Sequence, residues 1–187
     1  MRIISGYYKG RKLFQPNDKK TRPLKDLTKE SIFNLLIHSK FNKFDLKNSL
    51  VLDLFSGSGS FGIECLSRDT KHVTFVENYK PIIQIFKKNL RSLKELNNYK
   101  LIEKDIFDNK ITNYIDNNFD LIFADPPYKE NRILQLLSIV NKNKFLKKKG
   151  LLVLHRNKKS DEITHNNFKI IDVRTYGISK IIFYKLK

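Results

Sequence analysis

Apolar positions along the chain fall into short continuous runs and longer runs with helical spacing, and the two kinds alternate. Leu50 to Leu54 is a short run carrying one acid, Asp53; it leads into Ser56-Gly57-Ser58-Gly59-Ser60, after which an amphipathic run begins. That order predicts strand, tight glycine turn and helix. Val73–Val76 reads as a second strand, ending at Glu77. Pro81–Leu96 reads as a helix with Ile82, Ile85, Phe86, Leu90 and Leu93 on one face and Pro81 in its first turn. Leu101 and Ile102 begin a short strand that ends near Asp105, and Phe119–Ala124 is a strand running into Asp125-Pro126-Pro127-Tyr128. Ile133–Val140 has helical spacing, Lys147 to Gly150 is expected to close that segment with Gly150 as a C-cap, and Leu151–Leu154 is a further strand. Phe168–Tyr176 and Ser179–Leu186 are β-rich and flank Gly177-Ile178, which predicts an antiparallel hairpin.

Ahead of this alternation, residues 2–15 read as two short strands around Lys9-Gly10. Pro16 to Pro23 is a polar connector. Leu24, Leu27, Ile32, Leu35 and Leu36 mark an amphipathic helix from about Lys25 to His38. Residues 1–45 are therefore expected to form a hairpin-and-helix appendage, and 46–187 the main domain. Repeated strand–helix units imply an α/β fold, a mostly parallel sheet with helices on both faces and right-handed crossovers.

Composition narrows the partners. The 187 residues suit one domain with a sizeable core. The single cysteine, Cys65, excludes an intrachain disulfide and a thiol-built zinc cluster, and it falls where a packed core residue is expected. No apolar run approaches the ~18 residues that span a bilayer, and the first residues lack the apolar stretch of a signal peptide. The expectation is a soluble cytoplasmic protein, monomeric, without a metal. The 37 Lys and Arg stand against 19 Asp and Glu, a formal net charge of +18. Such a charge suits a polyanion, although a Lys-, Asn- and Ile-rich chain also looks like the product of AT-rich coding. Arg2, Lys9, Arg11 and Lys12 are interleaved with Tyr7, Tyr8 and Phe14, and Arg22 follows in the connector. Cations for phosphates beside rings for stacking describe an RNA-binding edge; a lysine-protected edge hairpin fits the same residues.

The glycine turn marks a ligand site, because in an open α/β sheet ligands bind beyond the carboxyl ends of the strands. Gly57, Gly59 and Gly62 satisfy the dinucleotide pattern, and Glu77 lies 20 residues past Gly57. Asp53 argues for a different cofactor. A pyrophosphate there would meet a carboxylate, and two like charges ~4 Å apart repel by ~4 kcal/mol at an effective dielectric of ~20. S-adenosylmethionine (SAM) carries no phosphate and has an ammonium for a strand-end carboxylate to hold. Glu77 is placed to accept ribose hydroxyls. Asp105 either accepts from the adenine amino group or merely caps a following turn.

Asp125-Pro126-Pro127-Tyr128 is the most specific motif. Two prolines remove two N–H donors and stiffen the backbone, leaving carbonyl acceptors beside a carboxylate. A planar amine entering such a site donates one hydrogen to Asp125 and one to the Pro126 carbonyl, and Tyr128 supplies a ring for a base to stack on. The motif selects an amine without selecting which: guanine N2, adenine N6 and a side-chain amide share this chemistry. A non-catalytic RNA-binding protein on the same scaffold is the alternative of another class, and the intact acids argue against it.

DLFSGSGSFGIE, FVE and DPPY together resemble the amino methyltransferases that act on nucleobases. MRIISGYYKGRKL, TRPLKDLTKESIFN and YGISKIIFY narrow the resemblance to the small bacterial 16S ribosomal RNA guanine-N2 methyltransferases, the RsmD type, over nearly the whole chain. The resemblance implies a Rossmann-like SAM methyltransferase fold and methyl transfer to the exocyclic N2 of a guanine in small-subunit rRNA. It places Asp53, Phe55, Gly57, Gly59, Glu77, Asp105 and Ile106 around SAM and Asp125 to Tyr128 around the guanine, and it makes 16S rRNA or the small ribosomal subunit the partner. Leu24 stands where the family usually has Thr. His155 stands where an acid is common after the fifth strand; it is assigned no role and is expected to be structural.

Overall fold

A computed structural model describes residues 1–16, 24–38, 44–94 and 96–187. Pro23, Arg22 and most of the polar connector lie outside the described residues. In chain order the elements are α1 (Asp26–His38), β1 (Leu50–Leu54), α2 (Ser60–Ser67), β2 (His72–Val76), α3 (Lys80–Ser92), β3 (Tyr99–Ile102), β4 (Phe119–Ala124), α4 (Ile133–Lys142), β5 (Leu146–Asn157), β6 (Phe168–Tyr176) and β7 (Ser179–Leu186). The strands form a seven-stranded sheet in the order β3-β2-β1-β4-β5-β7-β6. The pairings from β3 to β5 are parallel, and β5·β7 and β6·β7 are antiparallel. The expected fold class is the observed one.

Two cores follow from the two-residue period of the strands. Val51, Val73, Phe75, Leu121, Phe123, Val153, Ile181 and Phe183 pack on one face with residues of α1, α2 and α3. Leu52, Leu54, Val76, Ile122, Ala124, Leu154, Ile182 and Tyr184 pack on the other with Ile133, Leu136, Leu137 and Val140 of α4. Cys65 is buried in the first core, as expected. A run of rings ties α1 to the sheet: Phe33 to Phe61 at 5.0 Å and Phe61 to Phe123 at 3.8 Å between centroids, both stacked.

Two local expectations are corrected. Gly150 caps no helix. It lies within β5, where the pairing with β4 shifts between Phe119↔Leu146 and Leu121↔Leu151. The bulge keeps Lys147–Lys149 in the strand, and Lys147 pairs with Asp120 at 2.8 Å. A Cβ on Gly150 would come within 2.9 Å of the Lys147 carbonyl, which is why glycine sits there. Residues 2–15 form less than a two-stranded hairpin. A single antiparallel bridge, Arg2↔Lys12, is flanked by Ile3 N–H to Arg11 O and Gly10 N–H to Ile3 O. The intervening chain is spent on docking instead. Tyr7 N–H donates to Ser67 O, and Tyr8 N–H to Ser67 Oγ.

That docking is anchored by a buried charge cluster. Glu64 on α2 and Lys29 on α1 are both fully buried, 3.2 Å apart. Glu64 also accepts from the backbone N–H groups of Ile4 (2.7 Å) and Ser5 (2.9 Å) and from Arg68 Nε (2.9 Å). Lys29 Nζ donates to the Arg2 carbonyl at 2.8 Å. Burial pushes the Lys29 ammonium down, and Glu64 opposes that shift. The N-terminal segment, α1 and α2 thus share one network, and Ile3, Tyr8 and Leu13 share one core with the sheet. Removing one partner of a buried ion pair strands the other charge, at about 3–5 kcal/mol. Glu64→Leu is therefore expected to lose about that much in denaturant unfolding, with Lys29→Met in the same chain restoring part of it. A loss under about 1 kcal/mol for Glu64→Leu would show that the cluster does not anchor the segment.

Candidate active site

The strand order reverses at β1, with β2 on one side and β4 on the other. This is the switch point where a crevice opens beyond the carboxyl ends of a parallel sheet. The sequence delivers acids to that edge from four adjacent strands: Asp105 after β3, Glu77 after β2, Asp53 in β1 and Asp125 after β4.

Asp53 shares the face of Val51, beneath the start of α2. Its Oδ2 accepts the Gly62 N–H at 2.9 Å, and its Oδ1 is buried with no hydrogen-bond partner among the described residues. Asp53 is only 1% exposed. Burial raises its carboxyl well above the usual range; the Gly62 bond opposes this, and the charges of Asp125 and Glu77 add to it. Asp53 therefore lies within electrostatic reach of both Asp125 and Glu77.

The turn after β1 is held by unusual backbone. Phe55, Gly57 and Gly59 have φ of 56°, 55° and 82°. A left-handed phenylalanine is a backbone outlier of the kind that clusters at ligand sites. Gly59 needs its small size as well, because a Cβ there would lie 2.2 Å from the Phe86 ring. At Gly57 a Cβ would meet nothing within 4 Å, so the turn borders open space. Glu77 Oε2 accepts the Gly57 N–H at 2.7 Å, and Oε1 accepts from Asn78 N–H (2.9 Å) and Tyr79 N–H (2.8 Å). A carboxylate offers about four lone-pair sites, so Glu77 has room for one more donor while those bonds last. The loop and helix N–H groups that a pyrophosphate would seek, Gly57 and Gly62, already face carboxylates.

Asp105 Oδ1 accepts the Phe107 N–H at 3.0 Å, closing a local turn. Ile106 is buried in the α4-side core. Phe55 and Phe107 stand with ring centroids 6.2 Å apart, and the Arg132 guanidinium lies 3.8 Å over Phe107.

Asp125 N–H donates to Leu54 O at 3.3 Å, tying the motif to the end of β1. Pro126 is buried, Pro127 is exposed and Tyr128 is half-buried. Two neighbours escaped the sequence reading. His155 Nδ1 lies 2.7 Å from Asp125 Oδ1, and the His155 ring stands edge-on to Tyr128 at 6.0 Å. Arg156 donates to the carbonyls of Pro127 (3.2 Å) and Glu130 (2.8 Å); burial lowers its pKa from the usual arginine value. The expectation that His155 has no part in the site is corrected. The signal was in the register: Ala124 pairs with Leu154 in parallel, so the residues after them are side by side.

The basic edge is placed differently. The Arg2 carbonyl accepts from Lys29 Nζ, which also lies 3.4 Å from Ser60 Oγ at the start of α2, and Lys12 bridges to Arg2; the chain between them turns away from the acidic edge. Tyr7 and Tyr8 bond to Ser67 at the far end of α2, and Arg11 Nη1 donates to Ser92 O at the end of α3. Phe14 N–H, by contrast, donates to Asn89 Oδ1 at 2.7 Å, and Asn89 Nδ2 donates to the Ser58 carbonyl in the glycine turn. The segment therefore runs alongside α2 and α3, from the turn to the far end of the sheet. Among the described residues no group of His, Cys, Asp and Glu is arranged to hold a metal, and no helix is long and apolar enough to cross a membrane.

This fold and this crevice, with DPPY beside the switch point, define a SAM-type methyltransferase. Residues 1–185 match the family described as Conserved hypothetical protein 95. The chain is 35% identical to Ribosomal RNA small subunit methyltransferase D of Haemophilus influenzae over 99% of its length and 93% of that protein. It superposes on the crystal structure of HI0767 from Haemophilus influenzae with a TM-score of 0.77 at 34% identity, covering 99% of this chain and 97% of that one. SMU.776, crystallised with S-adenosylhomocysteine, shares the fold at a TM-score of 0.66 and 17% identity, over 86% of this chain and 50% of that one. The chain belongs to this family, that of the RsmD-type methyltransferases.

The buried carboxyl gives a pH test. Its folded pKa is raised, so the folded chain keeps a proton that the unfolded chain loses once the pH passes the ordinary carboxylate value. Stability is lost as pH rises from there toward the raised value. Urea unfolding of the ligand-free protein is expected to show Asp53→Asn gaining on the native protein as pH rises from about 4. A difference independent of pH would mean that Asp53 carries no such strain.

Proposed function

We propose that the protein methylates the exocyclic N2 amine of a guanine in small-subunit 16S rRNA, with SAM as methyl donor. The observation that carries the reading is Asp125 fixed by its N–H to the end of β1 at the switch-point edge, beside the Pro126 carbonyl and within the electrostatic reach of Asp53. Family membership supports rRNA as substrate, since the Haemophilus relative is named for the small-subunit RNA.

The residues present fit SAM. The unpartnered Oδ1 of Asp53 suits an ammonium, the remaining capacity of Glu77 suits a ribose hydroxyl, and the open side of Gly57 leaves room for a ligand. Phe55, Gly59, Asp105 and Ile106 complete the proposed binding set. SAM, when bound, would supply an electrophilic methyl group, its methyl–sulfur bond giving way as the group is transferred and S-adenosylhomocysteine being left. The protein's part is to present the nucleophile. Asp125 accepts one amine hydrogen and the Pro126 carbonyl the other, so the nitrogen lone pair points away from both acceptors. A guanine amine has its lone pair drawn into the ring and is a poor nucleophile. It becomes cationic as the new N–C bond forms, and a carboxylate fixed beside it stabilises that charge. Asp125 then takes the surplus proton and passes it to solvent, to which its side chain is 20% exposed. Tyr128 stacks on the base, which must leave its own stack to reach the crevice.

RNA docks along the N-terminal segment, through Arg2, Lys9, Arg11 and Lys12 to phosphates and through Tyr7, 74% exposed, to a base. Arg22, outside the described residues, belongs to the same proposed set. Residues 1–45 act as the docking appendage to the catalytic domain 46–187. The protein works as a monomer in the cytoplasm.

Asp125→Ala is expected to lower the single-turnover rate by ~10²–10³, as loss of one preorganised electrostatic partner does, with SAM affinity nearly unchanged; Asp125→Asn should fall between. A wild-type rate for Asp125→Ala would reduce DPPY to a turn. Neutralising Lys9, Arg11 and Lys12 together should weaken RNA binding and flatten its salt dependence by ~0.7–0.9 for each phosphate no longer neutralised, leaving SAM binding intact. An unchanged salt slope would make this edge plain solvated surface.

A further inference from the structure

We infer that His155 is a positioning residue for methyl transfer, holding Asp125 in the one orientation that leaves its second oxygen to the substrate amine. The inference rests on the reading of Asp125 as the amine-directing group. Asp125 Oδ1 and His155 Nδ1 are 2.7 Å apart. An ionised carboxylate only accepts, so the imidazole donates from Nδ1, and the bond is of the short charge-assisted kind. It engages Oδ1 and not Oδ2.

The ring is on a rigid mount. His155 belongs to β5, pairs with Ile181 of β7, and follows Leu154, which pairs with Ala124 of β4. It is only 6% exposed, and its Nε2 is buried with no hydrogen-bond partner among the described residues. A histidine kept for packing would either find a partner for both nitrogens or be replaced by an apolar side chain at lower cost. Here one nitrogen is left unmatched while the other grips the carboxylate. The next residue, Arg156, grips the backbone of the same loop at Pro127 and Glu130. Consecutive residues of β5 therefore hold the carboxylate and the turn that carries it.

The test is single-turnover methylation with RNA and SAM saturating. A misplacement of about 1 Å costs up to ~10² in rate, so His155→Leu is expected to be ~10- to 100-fold slower, with affinities for SAM and RNA within about twofold of the native protein's. His155→Asn places a donor where Nδ1 stood and should recover most of the rate; His155→Gln sets it one atom further out and should not. In an Asp125→Ala background His155→Leu should change the rate by less than about twofold, because a residue acting through Asp125 has nothing left to act on. A native rate for His155→Leu, or an equal loss in both backgrounds, overturns the inference while Asp125→Ala alone stays slow. Should His155→Leu not fold, equal rates for the Asn and Gln variants overturn it. A native rate for Asp125→Ala removes the underlying reading instead.

Discussion

The carboxylate of Asp53 is the constraint around which the crevice is built. A nearly fully buried acid with one oxygen bonded to the start of α2 and the other unmatched is costly for the empty protein. The cost rises because Glu77 and Asp125 press on it with like charge. Such an arrangement favours a cationic partner, beside which the carboxyl ionises, over an anionic one, beside which it must stay protonated. That single electrostatic fact separates a SAM site from a dinucleotide site on a turn whose glycines alone suit both. The neighbouring acids are held by their own partners: backbone N–H groups for Glu77, an imidazole for Asp125.

The chain as a whole has the opposite sign, with a formal net charge of +18. The acids gather at the crevice, whereas Arg2, Lys9, Arg11 and Lys12 are spread along the N-terminal segment. That segment is fastened to α2 by Glu64 and Lys29, and it touches the glycine turn through Asn89, which bonds to both Phe14 and Ser58. A chain of hydrogen bonds thus runs from Phe14, on the proposed RNA-docking segment, to the proposed cofactor turn.

Much of this was legible beforehand, for a physical reason. Strands buried on both faces, such as β1 and β4, advertise themselves as apolar runs, and β1, β4, β6 and β7 have the bounds expected from sequence. Strand ends in a parallel sheet share an edge, so reading an acid after each run was enough to gather Asp53, Glu77 and Asp125. What escaped was set by pairing rather than by local pattern. The bulge that draws Lys147–Gly150 into β5 depends on the β4 register, and the contact of His155 with Asp125 depends on which strand lies beside β4. The minimal bridge between Arg2 and Lys12 arises because Ser67 and Glu64, more than fifty residues on, compete for the backbone that a hairpin would have paired.

That this crevice presents a guanine amine of small-subunit rRNA to a methyl donor is tested most directly by product analysis. The protein is incubated with methyl-labelled SAM and either naked 16S rRNA or small-subunit particles, and the RNA is digested and its nucleosides separated. The expected result is label in N2-methylguanosine with one of the two substrates. Label in N6-methyladenosine, or none in either RNA, would contradict the assignment.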